Sequence, residues 1–297
     1  MTSHPRARRK RAPIVATGEW LNDDLVVDEH LGGSRKVDLY LCYSRSLEGL
    51  VACKVLRPEY RIDLSSLQAV MEEGEILQEM RHPHVVEGYG FVLEPHPTIT
   101  MEHLPGLTIR SAFLSGNYEV FDVDDIVDVA LQTAEALSYV HEQGYLHLDV
   151  KPSNLMYYDG HVTLYDFSIA EAYSPDKPLY DNAGTRDYMA PEQTHRRRVG
   201  YATDVFGLGV VFYELLAAGK LPYPVIEKPD PDKEGETRKL LDYSQPPAPP
   251  SSLNPSVPKA LDEVALAAIA PEPELRPATP GEFRLALIRA AERRDAS

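Results

Sequence analysis

Apolar and polar residues alternate along the first hundred positions, and the chain then turns to a helical period. Leu25 to Leu31 and Val37 to Tyr43 alternate as half-buried strands do, with a turn-like Leu31-Gly32-Gly33-Ser34 between them. Leu50-Val51-Ala52-Cys53-Lys54-Val55-Leu56 reads as a third strand, β-branched and apolar. Residues 65 to 81 carry helical spacing, with Leu67, Val70, Met71, Leu77 and Met80 on one face. His82-Pro83 ends that helix, because proline disfavours helix in the residue before it. Val85 to Leu93 and Thr98 to Glu102 read as two further strands. The expected product is a small, mostly antiparallel sheet with one helix.

Pro105-Gly106 punctuates the change of pattern. Beyond it the chain is largely helical. Asp122 or Asp124 can cap a long helix reaching about Gln143, with Gly144 as its stop. Short strands flank Asn154 and Asp166, and a very apolar helix spans roughly Asp204 to Ala218. Residues 224 to 237 read as a loop of Pro, Asp, Lys and Glu. Pro246 to Pro258 reads as a rigid connector rather than a polyproline ligand, and helices at about 259–270 and 280–293 close the chain.

The 297 residues suffice for one large domain or two lobes around a cleft. No run of about eighteen apolar residues is present, so no membrane span is expected. Cys42 and Cys53 are the sole cysteines, which gives neither a disulfide framework nor zinc spacing, and there is no secretory leader, so a cytoplasmic setting is expected. The formal charge is −16, but residues 1–13 hold Arg6, Arg8, Arg9, Lys10 and Arg11 with no acid; removing those five leaves −21 on the rest. This run could touch nucleic acid, anionic lipid or the acidic body. The plainer expectation is a basic, disordered tail over residues 1–19.

The chemistry concentrates in His147-Leu148-Asp149-Val150-Lys151-Pro152-Ser153-Asn154, followed by Asp166-Phe167-Ser168 and Ala190-Pro191-Glu192. Phosphoryl transfer needs a carboxylate to orient a hydroxyl, a cation beside the moving phosphoryl, and oxygen donors for magnesium. Asp149, Lys151, Asn154 and Asp166 are residues of those types. The three fragments, in this order, resemble the H-R-D-x-K-x-x-N, D-F-G and A-P-E motifs of eukaryotic-like protein kinases. The resemblance covers about residues 20 to 293 and is greatest to bacterial Hanks-type serine/threonine kinases.

That resemblance implies an α+β, bilobal fold: an N-lobe over 20–104, a hinge near 102–106 and a C-lobe over 105–293. It implies ATP and Mg2+ as cofactors, with Mn2+ as an alternative, and a protein substrate bearing Ser or Thr. Lys54, in Val51-Ala52-Cys53-Lys54, would hold the α- and β-phosphates with Glu73 as its partner; Glu72, Glu75 and Glu79 are acids nearby on the same helix. Leu31, Gly32, Gly33 and Ser34 would lie over the phosphates. Leu39, Ala52 and Met156 would sandwich adenine, Met101 would be the gatekeeper, and Glu102 to Leu104 would meet the adenine edge. Asn154 and Asp166 would bind the metal, and Thr185, in Gly184-Thr185-Arg186-Asp187-Tyr188-Met189, would reach Lys151 and Asp149 beside the substrate peptide. His147, Phe167, Glu192, Asp204 and Arg276 would be structural, with His147 under Phe167 and Arg276 paired to Glu192.

Four positions depart from the family pattern. Ser34 and Val37 replace the later glycines of G-x-G-x-x-G, which should stiffen the loop, with Arg35 or Lys36 placed to compensate by charge. Leu148 replaces the arginine that answers an activation-loop phosphate, so that loop is expected to order by other contacts. Ser168 replaces the glycine of D-F-G. These departures keep a pseudokinase scaffold as an alternative to an active enzyme, and a small-molecule kinase as a minor one that the G-T…A-P-E segment disfavours. With no sensor domain or anchor in the sequence, input is expected from a partner, the tail or autophosphorylation.

Overall fold

The computed structural model describes residues 12–114, 121–175, 184–194, 198–229 and 237–295. The basic run at 6–11 lies outside them. The chain forms two compact units: one up to Gln78 together with Glu87–His103, the other Glu79–Val86 together with the chain from Leu104 onward.

In the first unit, β1 (Leu25–Gly33), β2 (Val37–Ser44) and β3 (Gly49–Leu56) form a meander, followed by α1 (Leu64–Glu79), β4 (Gly88–Val92) and β5 (Thr98–Glu102). The strands make one antiparallel sheet of order β1-β2-β3-β5-β4. Register puts Leu39, Lys54 and Ile99 in one cross-strand row and Leu41, Ala52 and Met101 in another on the same face. Tyr40, Cys42, Val51, Cys53 and Val55 occupy the opposite face, where they pack with Leu25, Val27, Val15 and Leu21.

Val15 corrects one expectation. The disordered tail expected over residues 1–19 gives way to ordered chain within its second half: the backbone N–H of Ile14 donates to the Tyr40 hydroxyl at 2.8 Å and that of Gly18 to Val27 O at 2.8 Å. The cause is that both faces of this sheet are apolar and each needs a cover. The N-terminal segment supplies one cover.

Helix α1 buries Ser66, Val70, Glu73, Gly74, Ile76 and Leu77, whereas Met71, expected on the inner face, is exposed. A side chain at 71 is turned about 100° from Val70 and leaves the stripe formed by 66, 70, 73, 74 and 77. Gly74 lets the helix press on β4, since a Cβ there would lie 2.5 Å from Phe91 Cδ1. Strand β4 also begins three residues later than expected. Val85 and its neighbours pair elsewhere: Leu164 N–H donates to His84 O at 2.9 Å and Val86 N–H to Leu164 O at 3.0 Å, within the second unit.

The second unit runs through β6 (Leu107–Thr108), α2 (Ile109–Leu114), α3 (Val123–Glu142), β7 (Tyr145–Leu146), β8 (Leu155–Tyr158), β9 (His161–Leu164) and β10 (Glu171–Ala172). It continues with α4 (Pro191–Thr194), α5 (Tyr201–Leu216), β11 (Val225–Pro229), β12 (Thr237–Leu241), α6 (Pro250–Leu253), α7 (Lys259–Ala268) and α8 (Pro280–Asp295). Asp122, not Asp124, caps α3 through a reciprocal pair: its side chain accepts from Asp125 N at 2.9 Å, and Asp125 accepts from Asp122 N at 3.1 Å. Helix α5 is apolar on every side and is buried from Thr203 to Leu216, as a central helix must be. It starts at Tyr201, so Asp204 sits inside its first turn rather than opening it. The expected loop at 224–237 instead contributes strands, because Val225 and Ile226 pair with Leu241 and Leu240. The proline-rich connector holds a helical turn at α6, where proline needs no N–H partner. No described helix is long and apolar enough to cross a membrane.

Candidate active site

In the first unit Lys54 Nζ donates to both carboxylate oxygens of Glu73 at 2.8 Å. Both side chains are largely buried, at 13% and 4% exposure. Among the acids of α1, Glu73 alone lies on the buried stripe: Glu72 is exposed and accepts from Gln68 at 2.7 Å, Glu75 is exposed, and Glu79 accepts from Tyr145 at 3.0 Å. A buried ion pair does little for stability compared with apolar packing, so its presence is better explained by chemistry than by folding. Leu39, Ala52 and Met101 share the sheet face of Lys54. Glu102 donates its backbone N–H to Glu87 O at 2.9 Å.

The glycine-bearing turn is tight. Gly32 and Gly33 pair with Leu39 and Asp38, and Ser34 N–H donates to Val37 O at 2.8 Å. A Cβ on Gly33 would fall 2.4 Å from Val37 O, so no other residue fits there without a shift. Leu31 is exposed. Lys36, with Arg35 one of the two residues expected to compensate for the missing glycines, bonds Ser66 Oγ at 3.0 Å and lies 3.9 Å from Asp63.

In the second unit the loop between β7 and β8 carries the residues expected to be catalytic. Its backbone is pinned by the buried carboxylate of Asp204, which accepts from His147 N at 2.9 Å, from Leu148 N at 2.7 Å and from His141 Nε2 at 2.8 Å. Burial alone would push the Asp204 carboxyl up, but these hydrogen bonds and the neighbouring histidines outweigh it and hold it below its ordinary value. Gln193 Nε2 secures Leu148 O at 2.9 Å. His147 accepts from Asp149 N at 3.3 Å through Nδ1 and contacts Tyr165 O at 3.3 Å through Nε2, while its ring meets Phe167 edge-on at 4.9 Å. Both ring nitrogens are therefore engaged, which suits packing rather than proton transfer or metal binding.

Asp149 is held from both sides. Its Oδ1 accepts from Thr185 N at 2.9 Å and its Oδ2 from Lys151 Nζ at 2.5 Å. Lys151 Nζ also donates to Thr185 Oγ1 at 2.8 Å. Asn154 Nδ2 donates to Asp149 O at 3.0 Å and to Asp149 Oδ2 at 3.3 Å, so its Oδ1 could serve a metal. The β8–β9 hairpin returns the chain beside Asn154, where Tyr165 N–H donates to Asn154 O at 3.0 Å, and Asp166 follows directly with φ of +66°. An amide oxygen and a carboxylate are the hard donors Mg2+ takes, so this pair fits that ion. Met156 is half-buried on β8, next to Thr108 and Thr163, and Leu104 is half-buried at the start of this unit's main segment.

Two supports surround the set. Arg276 binds Glu192 through two bonds of 2.7 and 2.9 Å, with the Arg276 side chain fully buried. Leu148 packs with Leu146, Ile169, Tyr173, Val199 and Tyr201, so an apolar cluster stands where an arginine was absent from the motif. The sequence reading missed Gln193 and His141, and also Glu214. Gln193 directly follows the A-P-E motif, a signal that could have drawn attention to it. His141 and Glu214 carry no such signal. Burial pushes the Glu214 carboxyl up, and it accepts from Tyr188 at 2.6 Å and Arg110 at 3.1 Å, tying the Thr185 segment to α5.

A sheet unit with a buried lysine–glutamate pair and a helical unit with an Asp-Lys-Asn loop ahead of a second Asp are the hallmarks of the protein kinase class. The protein kinase domain model matches residues 25–280, and the chain belongs to that family. It is 32% identical to the serine/threonine-protein kinase Pkn1 of Myxococcus xanthus over 96% of this chain and 41% of that protein. It is 29% identical to PknB of Mycobacterium leprae over 93% of this chain and 44% of that one. The chain thus spans less than half the length of these curated relatives. A crystal structure of the PknI kinase domain of M. tuberculosis superposes with a TM-score of 0.70 at 25% identity, covering 94% of this chain and 99% of that one. These bacterial relatives bear out the Hanks-type resemblance and the α+β kinase fold.

Proposed function

We propose that this chain is an ATP- and magnesium-dependent protein kinase that phosphorylates Ser or Thr hydroxyls of other proteins. The observation that carries the reading is Lys151 Nζ bonded at once to Asp149 and Thr185. Asp149 orients the acceptor hydroxyl and takes up its proton as the oxygen bonds the γ-phosphorus, while the bond to the β,γ-bridging oxygen breaks and ADP leaves with its electron pair. Lys151 stabilises negative charge on the phosphoryl group in transit. Lys54, oriented by Glu73, holds the α- and β-phosphates. Asn154 and Asp166 would hold Mg2+, or Mn2+ in its place, which when bound supplies charge neutralisation on the phosphate oxygens. Thr185 positions the peptide segment through its two contacts.

We take one kinase domain to run to about residue 293, with its lobes divided near residue 104; the division of the chain near His103 supports this. Two buried free thiols support a reducing, cytoplasmic setting: hydrogen bonding with Cys42 and burial both push the Cys53 thiol up, which leaves it unreactive.

Labelled ATP with Mg2+ and a generic basic protein substrate tests the reading, beside Asp149→Asn and with mass-spectrometric site mapping. Label on Ser or Thr that disappears in the variant is expected. ATP binding with no label in either protein would favour the pseudokinase alternative.

A further inference from the structure

Asp38 lies in the first unit with 1% exposure and belongs to none of the roles above. Donors converge on its carboxylate: Arg57 Nη2 at 2.7 Å, the Tyr40 hydroxyl at 3.2 Å and the backbone N–H of Ile14 at 3.3 Å; His30 Nε2 lies 3.5 Å away without a hydrogen bond. Arg57 is itself only 8% exposed. Such a pair is expensive to bury and seldom outdoes apolar packing, so its value lies in what it joins.

It joins three pieces of chain. The first is the glycine-bearing turn. Arg57 N–H donates to Lys36 O at 2.9 Å, and Gly33 is pressed so closely on Asp38 that a Cβ would lie 2.8 Å from its Cα. The second is the end of β3, which carries Arg57 one residue beyond Leu56. The third is the N-terminal segment. Arg57 Nη2 also donates to Ala12 O at 3.2 Å, and the Tyr40 hydroxyl accepts from both Ile14 N at 2.8 Å and Val15 N at 3.2 Å. Arg57 therefore touches the segment through its guanidinium and the turn through its backbone N–H. Ser34 and Val37 stand where glycines would loosen that turn, so its position depends on what braces it from behind.

We propose that Asp38 and Arg57 are positioning residues that couple the strap Ala12–Val15 to the turn Gly33–Val37, so that docking of the N-terminal strap sets nucleotide affinity. The strap acts on the binding of a nucleoside triphosphate and not on the transfer step. This rests on the kinase reading given above.

The test uses the full chain with Tyr40→Phe, which keeps the ring in its apolar cluster and removes the hydroxyl that receives the strap. Ile14→Pro, which deletes the donor N–H without altering the sheet, is a second route if Tyr40→Phe misfolds. Amide exchange without nucleotide should quicken at residues 14 and 15 and, in step, at Ser34 and Arg57. The KM for ATP should rise about fivefold with kcat within twofold of wild type, a coupling of ordinary allosteric size. Faster exchange at 14 and 15 alone, with Ser34, Arg57 and KM unchanged, would overturn the coupling and leave the strap a mere cover. Absence of ATP binding by the wild type would instead overturn the kinase reading, and the exchange data separate the two failures.

Discussion

Leu148 donates its backbone N–H to Asp204 Oδ1 at 2.7 Å while holding a φ of +64°, a left-handed conformation that a leucine seldom adopts. Asp204 from α5 and Gln193 from α4 grip its amide and carbonyl, so two elements over-determine one strained residue. Strain of this kind beside Asp149 fixes where that carboxylate stands. Asp204→Asn replaces one acceptor oxygen with an NH2 group that faces backbone donors. It should reduce kcat at least tenfold and stability by about 2 kcal/mol, from the loss of a buried charged acceptor. Steady-state kinetics and a urea titration read the two effects.

Leu148→Arg would restore the family residue, yet it places a guanidinium among Leu146, Ile169, Tyr173, Val199 and Tyr201. Burying a guanidinium among those side chains is costly, and a loss of about 3 kcal/mol is expected. An unchanged urea midpoint would show that the apolar cluster does not hold this segment.

Glu73 and Glu72 are neighbours in sequence with different expected fates. Glu73→Gln removes the negative charge that orients the buried Lys54 ammonium and should lower kcat/KM for ATP more than tenfold. Glu72→Gln, on the exposed side and bonded to Gln68, should stay within twofold. Equal effects of the two changes would remove Glu73 from its role.

Arg276→Gln leaves the buried Glu192 without its cation. Breaking one side of such a pair costs about 3–5 kcal/mol, so the thermal midpoint should fall by several degrees or more. Arg276→Lys should recover only part of the loss, because an ammonium cannot reproduce the two-armed contact.

His82 predicts a pH response. Burial, then the nearby His84, hold its pKa below the ordinary 6.5, while Glu135 and Glu142 oppose them. The unfolded chain therefore takes up this proton first, so stability should begin to fall as pH drops through about 6.5 and go on falling down to the lowered folded value. Its Nδ1 accepts from His84 N at 3.1 Å, a bond the protonated ring cannot make. Thermal melts between pH 8 and 5.5 should show a shallower decline in His82→Asn, which keeps an acceptor and does not titrate.

The loop proposed to be catalytic was legible because phosphoryl transfer admits few residue types and fixes their spacing, so Asp149, Lys151, Asn154 and Asp166 could be singled out from letters alone. Glu73 was legible only through the family resemblance, as the acid nine residues before His82-Pro83. Asp38 was not. In a strand that alternates, a polar residue next to a glycine turn reads as solvent-facing, and nothing in the sequence tells of Arg57 arriving from the end of another strand. The 225–241 hairpin was hidden for a related reason: its charged and proline residues look like loop, and Val225 with Leu241 shows only once the two ends are paired.

The segment lying against the outer sheet face also bears on where the gene is cut. The family match begins at residue 25, but the apolar core begins ten residues earlier, at Val15. A recombinant fragment started at the family boundary would strip Val15 and Leu21 from Tyr40, Cys42 and Cys53 and leave a greasy sheet face open to water. Poor solubility of such a fragment would then reflect a missing lid of its own chain, and the yield of soluble protein should recover once the first codon is moved back past Ala12.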